Sequence, residues 1–133
     1  MLKRSVAIVS EGDRSLGKVE NANASEDREI KTESRMKARL AVSFGGRNAE
    51  RLIFGEHTPG CLGDTENAKG LAAYMINHIA VGEFGVTTEL DLLREADRTA
   101  TVILTEHREQ VLMLAKTLCK NNSVNDNELE ELL

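Results

Sequence analysis

Three histidines, two cysteines and a scatter of carboxylates are the side chains among these 133 residues from which a reactive centre could be built. A zinc-activated water needs two histidines one helical turn apart, a glutamate after the first to take a proton, and a third ligand from elsewhere. His57, His78 and His107 have no i,i+4 partner among themselves, and none is followed by a glutamate. His57 and Asp64 could approach a metal together if the loop between them folded back, but four ligands are not evident. Cys61 and Cys119 stand in no CxxC or CxxH arrangement, so they read as small apolar residues of a reducing compartment. No Ser-His-Asp order presents itself, and no GxxxxGK[ST] loop is present to cradle nucleotide phosphates. No catalytic residue is assigned on these grounds.

Two other groups have spacing that matters. Asp64 precedes Thr65, Glu66 and Asn67 and a run whose apolar positions are Leu71, Met75, Ile76 and Ile79, which makes it the expected N-cap of a helix. Arg47 and Glu50 lie one turn apart, either as an exposed ion pair or as braces of their helix against a neighbour or another subunit.

The elements that must position these groups are mostly helical. Aromatic residues make up only 3% of the chain against 41% hydrophobic residues, so the core must come from Leu, Ile, Val, Met and Ala, as in helical bundles. The expectation is a single, mainly α domain: a small N-terminal β element over residues 1–20, a loop over 21–31, and about four helices packed as a bundle over 32–133.

Residues 5–10 read as a strand and 16–19 as a second one, while 21–27 lack apolar period and read as loop. A helix capped by Thr32 or Ser34 is expected to run through Met36, Leu40, Phe44, Leu52 and Ile53 to Gly55. Gly45 and Gly46 inside it would each cost about 1 kcal/mol relative to alanine, which suggests close approach of a neighbouring backbone. Residues 56–63, with Pro59, read as a constrained loop, and residues 82–85 as a break. One long helix is expected over 90–120, with Leu93, Ala96, Ala100, Ile103, Leu104, Val111, Leu114, Ala115 and Leu118 along one stripe. Asn125 caps a last helix through Leu133, with Glu128 completing a capping box and Val124 stapled to Leu129.

The net charge of −5 and the absence of a clustered basic face argue against nucleic acid as a partner. The apolar run 6–9 is too short for a signal segment, and 71–81 is interrupted by Asn77 and His78. A soluble, cytoplasmic chain without direct membrane contact is the expectation.

The stretch Ala38-Arg-Leu-Ala-Val-Ser-Phe-Gly-Gly-Arg-Asn-Ala-Glu-Arg-Leu-Ile-Phe-Gly55 resembles the part of FtsH-type ATP-dependent zinc metalloproteases in which a helix carries a Gly-Gly-Arg-x-Ala-Glu signature and ends in Phe-Gly. Gly45, Gly46, Arg47, Ala49, Glu50, Phe54 and Gly55 stand at the matching places. Upstream, Val6-Ala-Ile-Val-Ser-Glu-Gly is similar to the family's strand after its zinc-motif helix. Downstream, Thr58-Pro-Gly-Cys-Leu-Gly-Asp64 is similar to its glycine loop and aspartate, and Ile103-Leu-Thr-Glu-His-Arg108 to its closing helices. Gly63 replaces the family's usual Asn, and Thr65 an apolar residue.

The resemblance implies that Asp64 is the third ligand of a zinc ion. It also implies protein substrates and assembly as rings of six, hence self-association or association with protease subunits. The family's HExxH helix and ATPase module precede the part matched, and neither motif occurs in this sequence. The chain is therefore expected to be a partial or degenerate peptidase-type domain, inactive alone, with apolar residues exposed where that helix would pack. The alternative is a non-catalytic helical association module.

Overall fold

The computed structural model describes residues 4–7, 18–21, 32–79, 81 and 87–132, which belong to two compact units, one of residues 30–106 and one combining 1–29 with 107–133. The chain is mainly α with a small β element, as its composition requires.

In the helical unit, α1 (Glu33–Ser43) starts at Thr32, whose hydroxyl accepts the Arg35 N–H at 3.3 Å. Met36, Leu40 and Phe44 recur every fourth residue, share one face of the turn and are all buried. They meet Ala68, Ala72 and Met75 of α3 (Leu62–His78) and Leu92, Ala96 and Ala100 of α4 (Glu89–Glu106). Four alanines in this seam let the helix backbones draw together where longer side chains would hold them apart. Leu71, Ile76, Ile79 and Leu93 pack around the edge of the same core. The remaining helix, α2 (Gly45–Phe54), lies against α4.

The single helix expected between Thr32 and Gly55 is two helices. Phe44 (φ −91°, ψ −3°) separates them, its N–H turning to Ala41 O at 3.1 Å in the tighter three-residue pattern. Its ring is buried as the last residue of the α1 stripe, and two glycines, poor in a helix interior, follow it where the backbone changes direction. Gly45 and Gly46 thus open α2 instead of interrupting it. Among the described residues, a Cβ on either would meet nothing within 4 Å, so the close backbone approach expected there is not found among them. Gly55 does end α2, at φ 82°, with its N–H on Arg51 O at 2.9 Å.

The long helix expected over 90–120 is also divided. α4 ends at Glu106, His107 leaves helical geometry (φ −110°, ψ 25°), and α5 (Arg108–Asn121) follows. Thr101 and Thr105 turn their hydroxyls back to the carbonyls of Asp97 and Thr101, at 2.9 and 2.7 Å. That pattern weakens and bends a helix. The expected stripe shifts accordingly: Leu92 joins Ala96 and Ala100 in the core, Leu93 is half-buried, Ile103 is 50% exposed, and no residue of α5 is fully buried. A capping box absent from the sequence expectations starts α4. Thr88 Oγ1 accepts the Asp91 N–H, while Asp91 Oδ2 accepts the Thr88 N–H at 2.9 Å and its hydroxyl at 3.0 Å.

In the other unit, β1 (Arg4–Ala7), β2 (Lys18–Asn21) and β3 (Ser123–Val124) form an antiparallel sheet in the order β2-β1-β3. Val6 pairs with Val19 on one side and Val124 on the other. The two N-terminal strands were expected, although β2 runs on to Asn21, and residues 8–10, 16–17 and 22–27 lie outside the described residues, as do 82–85. β3 was not foreseen: two residues give too little period to read. Asn122, in left-handed backbone at φ 62°, ends α5 with its N–H on Leu118 O at 2.8 Å. Asn125 Oδ1 accepts the Glu128 N–H at 2.9 Å to start α6 (Asp126–Leu132), and Val124 and Leu129 are both buried, as a staple requires. Among the described residues, no helix is long and apolar enough to cross a membrane.

Leu40→Ala should destabilise the helical unit by about 3 kcal/mol, because Leu40 is fully buried and its neighbours can close the gap only in part; urea unfolding measures it. The Thr88 N–H, and then its hydroxyl, hold the Asp91 carboxyl below its ordinary range. The folded state therefore binds this proton less readily than the unfolded chain does. The stabilisation is present at neutral pH and lost as pH falls below the ordinary carboxylate range. Asp91→Asn should make thermal stability less dependent on pH in that acid window.

Candidate functional site

The polar face of α2 organises the region around Asp64. Asn48, in the first turns of α2, is only 5% exposed, the one buried polar residue among those described. A buried amide must find partners, and its Nδ2 donates to Asp97 Oδ1 at 2.9 Å, Asp97 O at 3.1 Å and Thr101 Oγ1 at 3.2 Å. Arg47 donates from one guanidinium nitrogen to the same Asp97 carboxylate and from Nε to Asn48 Oδ1 at 3.1 Å. Its guanidinium also lies 4.6 Å from the centre of the Phe44 ring, a cation–π contact. Four polar groups thus lock α2 onto α4.

Arg47 and Glu50 do not pair with each other. Of the two roles open to them, bracing is the one observed for Arg47, because Asp97 offers a partly buried carboxylate. Glu50 faces the loop after α2. Its Oε2 accepts the Thr58 N–H at 2.9 Å, and its Oε1 accepts the Thr58 hydroxyl at 3.1 Å. One residue further on, Arg51 Nε donates to His57 Nδ1 at 2.9 Å, so the neutral ring carries its proton on Nε2.

From Thr58 the chain enters a 3-10 turn, Pro59–Cys61, that runs directly into α3. Pro59 presets the backbone at the start of that turn, so helical geometry begins earlier than Asp64 had suggested. Asp64 is therefore not the N-cap. Cys61 holds that place without a side-chain cap bond, and Asp64 is the third residue of the helix. In the first turn a carboxylate faces the positive end of the helix dipole, a favourable position that needs no cap bond. Asp64 is exposed, and among the described residues no hydrogen bond or ion pair engages its carboxylate. Thr65 Oγ1 donates to Cys61 O at 3.0 Å, and Cys61 Sγ to Thr58 O at 3.4 Å, closing the turn on itself.

The histidines are dispersed, as their spacing required. His57 is in the loop, His78 ends α3 with its ring 4.8 Å from that of Tyr74, and His107 bonds Gln110 Oε1 at 2.6 Å. Among the described residues, no three of His, Cys, Asp and Glu gather as a metal site would need. Asp64 is chemically suited to one position of a zinc shell, a free carboxylate on a rigid helix. The described residues do not complete the set of four, and no hydrolytic step follows from them. Both cysteines are free thiols. Asp97, Thr101 and Thr58 were not singled out from the sequence. The i,i+4 pair Asp97 and Thr101 on an otherwise apolar face, and a Thr before the only Pro, were the signals available.

Residues 2–91 match peptidase family M41. The chain is 30% identical, over 98% of its length, to the ATP-dependent zinc metalloprotease FtsH 2 of Sphaerobacter thermophilus, covering 23% of that protein. It is 27% identical, over 81% of its length, to the ATP-dependent zinc metalloprotease FtsH 1 of Conexibacter woesei, covering 21% of that protein. A shorter stretch, 52% of the chain, is 39% identical to 8% of the ATP-dependent zinc metalloprotease FtsH of Mycobacterium leprae. The chain thus spans less than a quarter of the length of each of these three relatives.

Asp97→Ala would leave the Arg47 guanidinium without its carboxylate and the buried Asn48 amide with two of its three acceptors, and should destabilise the helical unit by about 2 kcal/mol. Thr101→Val, which removes one acceptor of three, should cost about half as much. Denaturant unfolding of the two variants measures the difference.

Proposed function

Because the chain belongs to peptidase family M41, we propose that it contributes the Asp64 carboxylate and its helical mount to a zinc-peptidase centre, and does not cleave peptide bonds with its own 133 residues. The observation that carries this reading is the placement of Asp64: exposed, unengaged among the described residues, and set in the first turn of a helix whose entry is held by Glu50 and Thr58. The relatives are ATP-dependent zinc metalloproteases by name, so the substrates in this reading are proteins and the cofactor is zinc. Bound zinc supplies a water acidic enough to attack an amide at neutral pH. The two histidines and the glutamate of such a centre come from an HExxH helix that this sequence does not contain. ATP is handled outside it as well, for want of a phosphate loop. Partners in this reading are further copies of the chain or protease subunits, in the cytoplasm.

A second reading, a non-catalytic helical module that associates with itself or with a protease subunit, draws on exposed apolar side chains. Phe54 is 76% and Leu62 61% exposed, at the end of α2 and the start of α3, on either side of the loop that leads to Asp64. Exposed large apolar groups beside a site point to something that covers them.

Zinc content of the purified chain after dialysis, compared with Asp64→Ala and paired with a casein-cleavage assay, tests the first reading. The expected result is less than one zinc per chain and no cleavage. Stoichiometric zinc that disappears in Asp64→Ala, together with cleavage, would mean that the chain completes its own site. A stable oligomer in sedimentation, indifferent to zinc and to Asp64, would favour the association module.

A further inference from the structure

Glu50 and Arg51, adjacent on α2, both reach the dipeptide His57-Thr58. Glu50 takes two donors from one residue, the Thr58 N–H at 2.9 Å and its hydroxyl at 3.1 Å, the latter also 3.3 Å from the second carboxylate oxygen. Thr58 (φ −97°, ψ 167°) is the last extended residue before Pro59. From Pro59 to Asp64 the backbone is continuously helical, a 3-10 turn passing into α3, and the Thr65 hydroxyl ties back to Cys61. Rotation of the chain at Thr58 would therefore be carried to Asp64 with little to absorb it. The other end of the linkage is firm as well, since Arg47 and Asn48 hold α2 to α4.

We infer that Glu50 is a positioning residue for Asp64: through Thr58 it fixes the entry of α3 and hence the direction in which the Asp64 carboxylate is presented to a cation. The chemistry accounts for the residue type. A planar carboxylate meets the two donors of one residue with an oxygen for each, whereas an amide would offer one oxygen and turn its NH2 group toward the other donor. The inference rests on the reading of Asp64 as a metal ligand and gives the signature glutamate a role in that site without contact to the metal.

The test uses the full chain and the variants Glu50→Ala, Glu50→Gln, Thr58→Ala, Thr58→Ser and Asp64→Ala, with two readouts. One is amide hydrogen exchange at Thr58 and over 62–64. The other is zinc retained per chain in the presence of a synthetic helical peptide carrying His-Glu-x-x-His. Glu50→Ala should speed exchange at Thr58 by about tenfold, the scale of a lost bond to a charged acceptor. It should also lose zinc as Asp64→Ala does. Glu50→Gln and Thr58→Ala should fall between Glu50→Ala and the parent, with Thr58→Ser restoring the parent behaviour. Unchanged exchange in Glu50→Ala, or faster exchange with undiminished zinc, would overturn the inference. Should Glu50→Ala fail to fold, Thr58→Ala against Thr58→Ser decides by the same criteria. Zinc retention indifferent to Asp64→Ala would overturn the ligand reading and the positioning role with it. That failure is distinct from failure of the clamp, which exchange at Thr58 reports separately.

Discussion

A buried amide cannot be left without partners, and the position of Asn48 makes this the constraint on which the helical unit depends. Its donors are satisfied only if α2 lies where Asp97 and Thr101 of α4 face it. Apolar burial alone would tolerate many placements of α2, because it has no direction. The amide and the guanidinium do have direction. Asp97, bonded by both, converts a loose preference for contact into one defined arrangement, and the loop to α3 departs from α2 already oriented.

From that arrangement the rest follows in sequence order. Gly55 ends α2 in left-handed backbone, the chain turns through His57 and Thr58 under Glu50 and Arg51, and Pro59 begins helical geometry at once. Signature residues that look from the sequence like one helix surface thus divide their work. Arg47 and Asn48 look toward α4, while Glu50 and Arg51 look toward the loop. Each is two or three residues from the nearest one serving the other purpose, as a period of 3.6 residues per turn allows.

What could be read beforehand was mostly local. The caps at Thr32 and Asn125, the left-handed stop at Gly55 and the stripe Met36, Leu40, Phe44 depend on residues within a turn or two of one another. Family membership was legible from the run that ends in Phe54 and Gly55, because its spacing is specific. The partners of Arg47 were not legible. A glutamate three residues away is the obvious local choice, and nothing local announces an aspartate fifty residues downstream. Asp64 was placed one helical stage too early for a similar reason: a carboxylate before an apolar run suggests a cap, but Pro59 had already started the turn. The two divided helices were misread because apolar period continues across Phe44 and His107, whereas the backbone changes there for reasons of burial and hydroxyl back-bonding.

Asp97 and Thr101 are one turn apart, so α2 could in principle slip along α4 by a single turn, about 5.4 Å. Moved one way, Asn48 would face Leu93 and Asp97 in place of Asp97 and Thr101, and Arg47 would meet the apolar Leu93 side chain where its carboxylate had been. Moved the other, it would meet the hydroxyls of Thr101 and Thr105, an acceptable setting for an amide, but Arg47 would be left without its carboxylate. The single acidic side chain thus acts as a vernier for the whole helix: it tells apart two settings that look alike to everything else on that face.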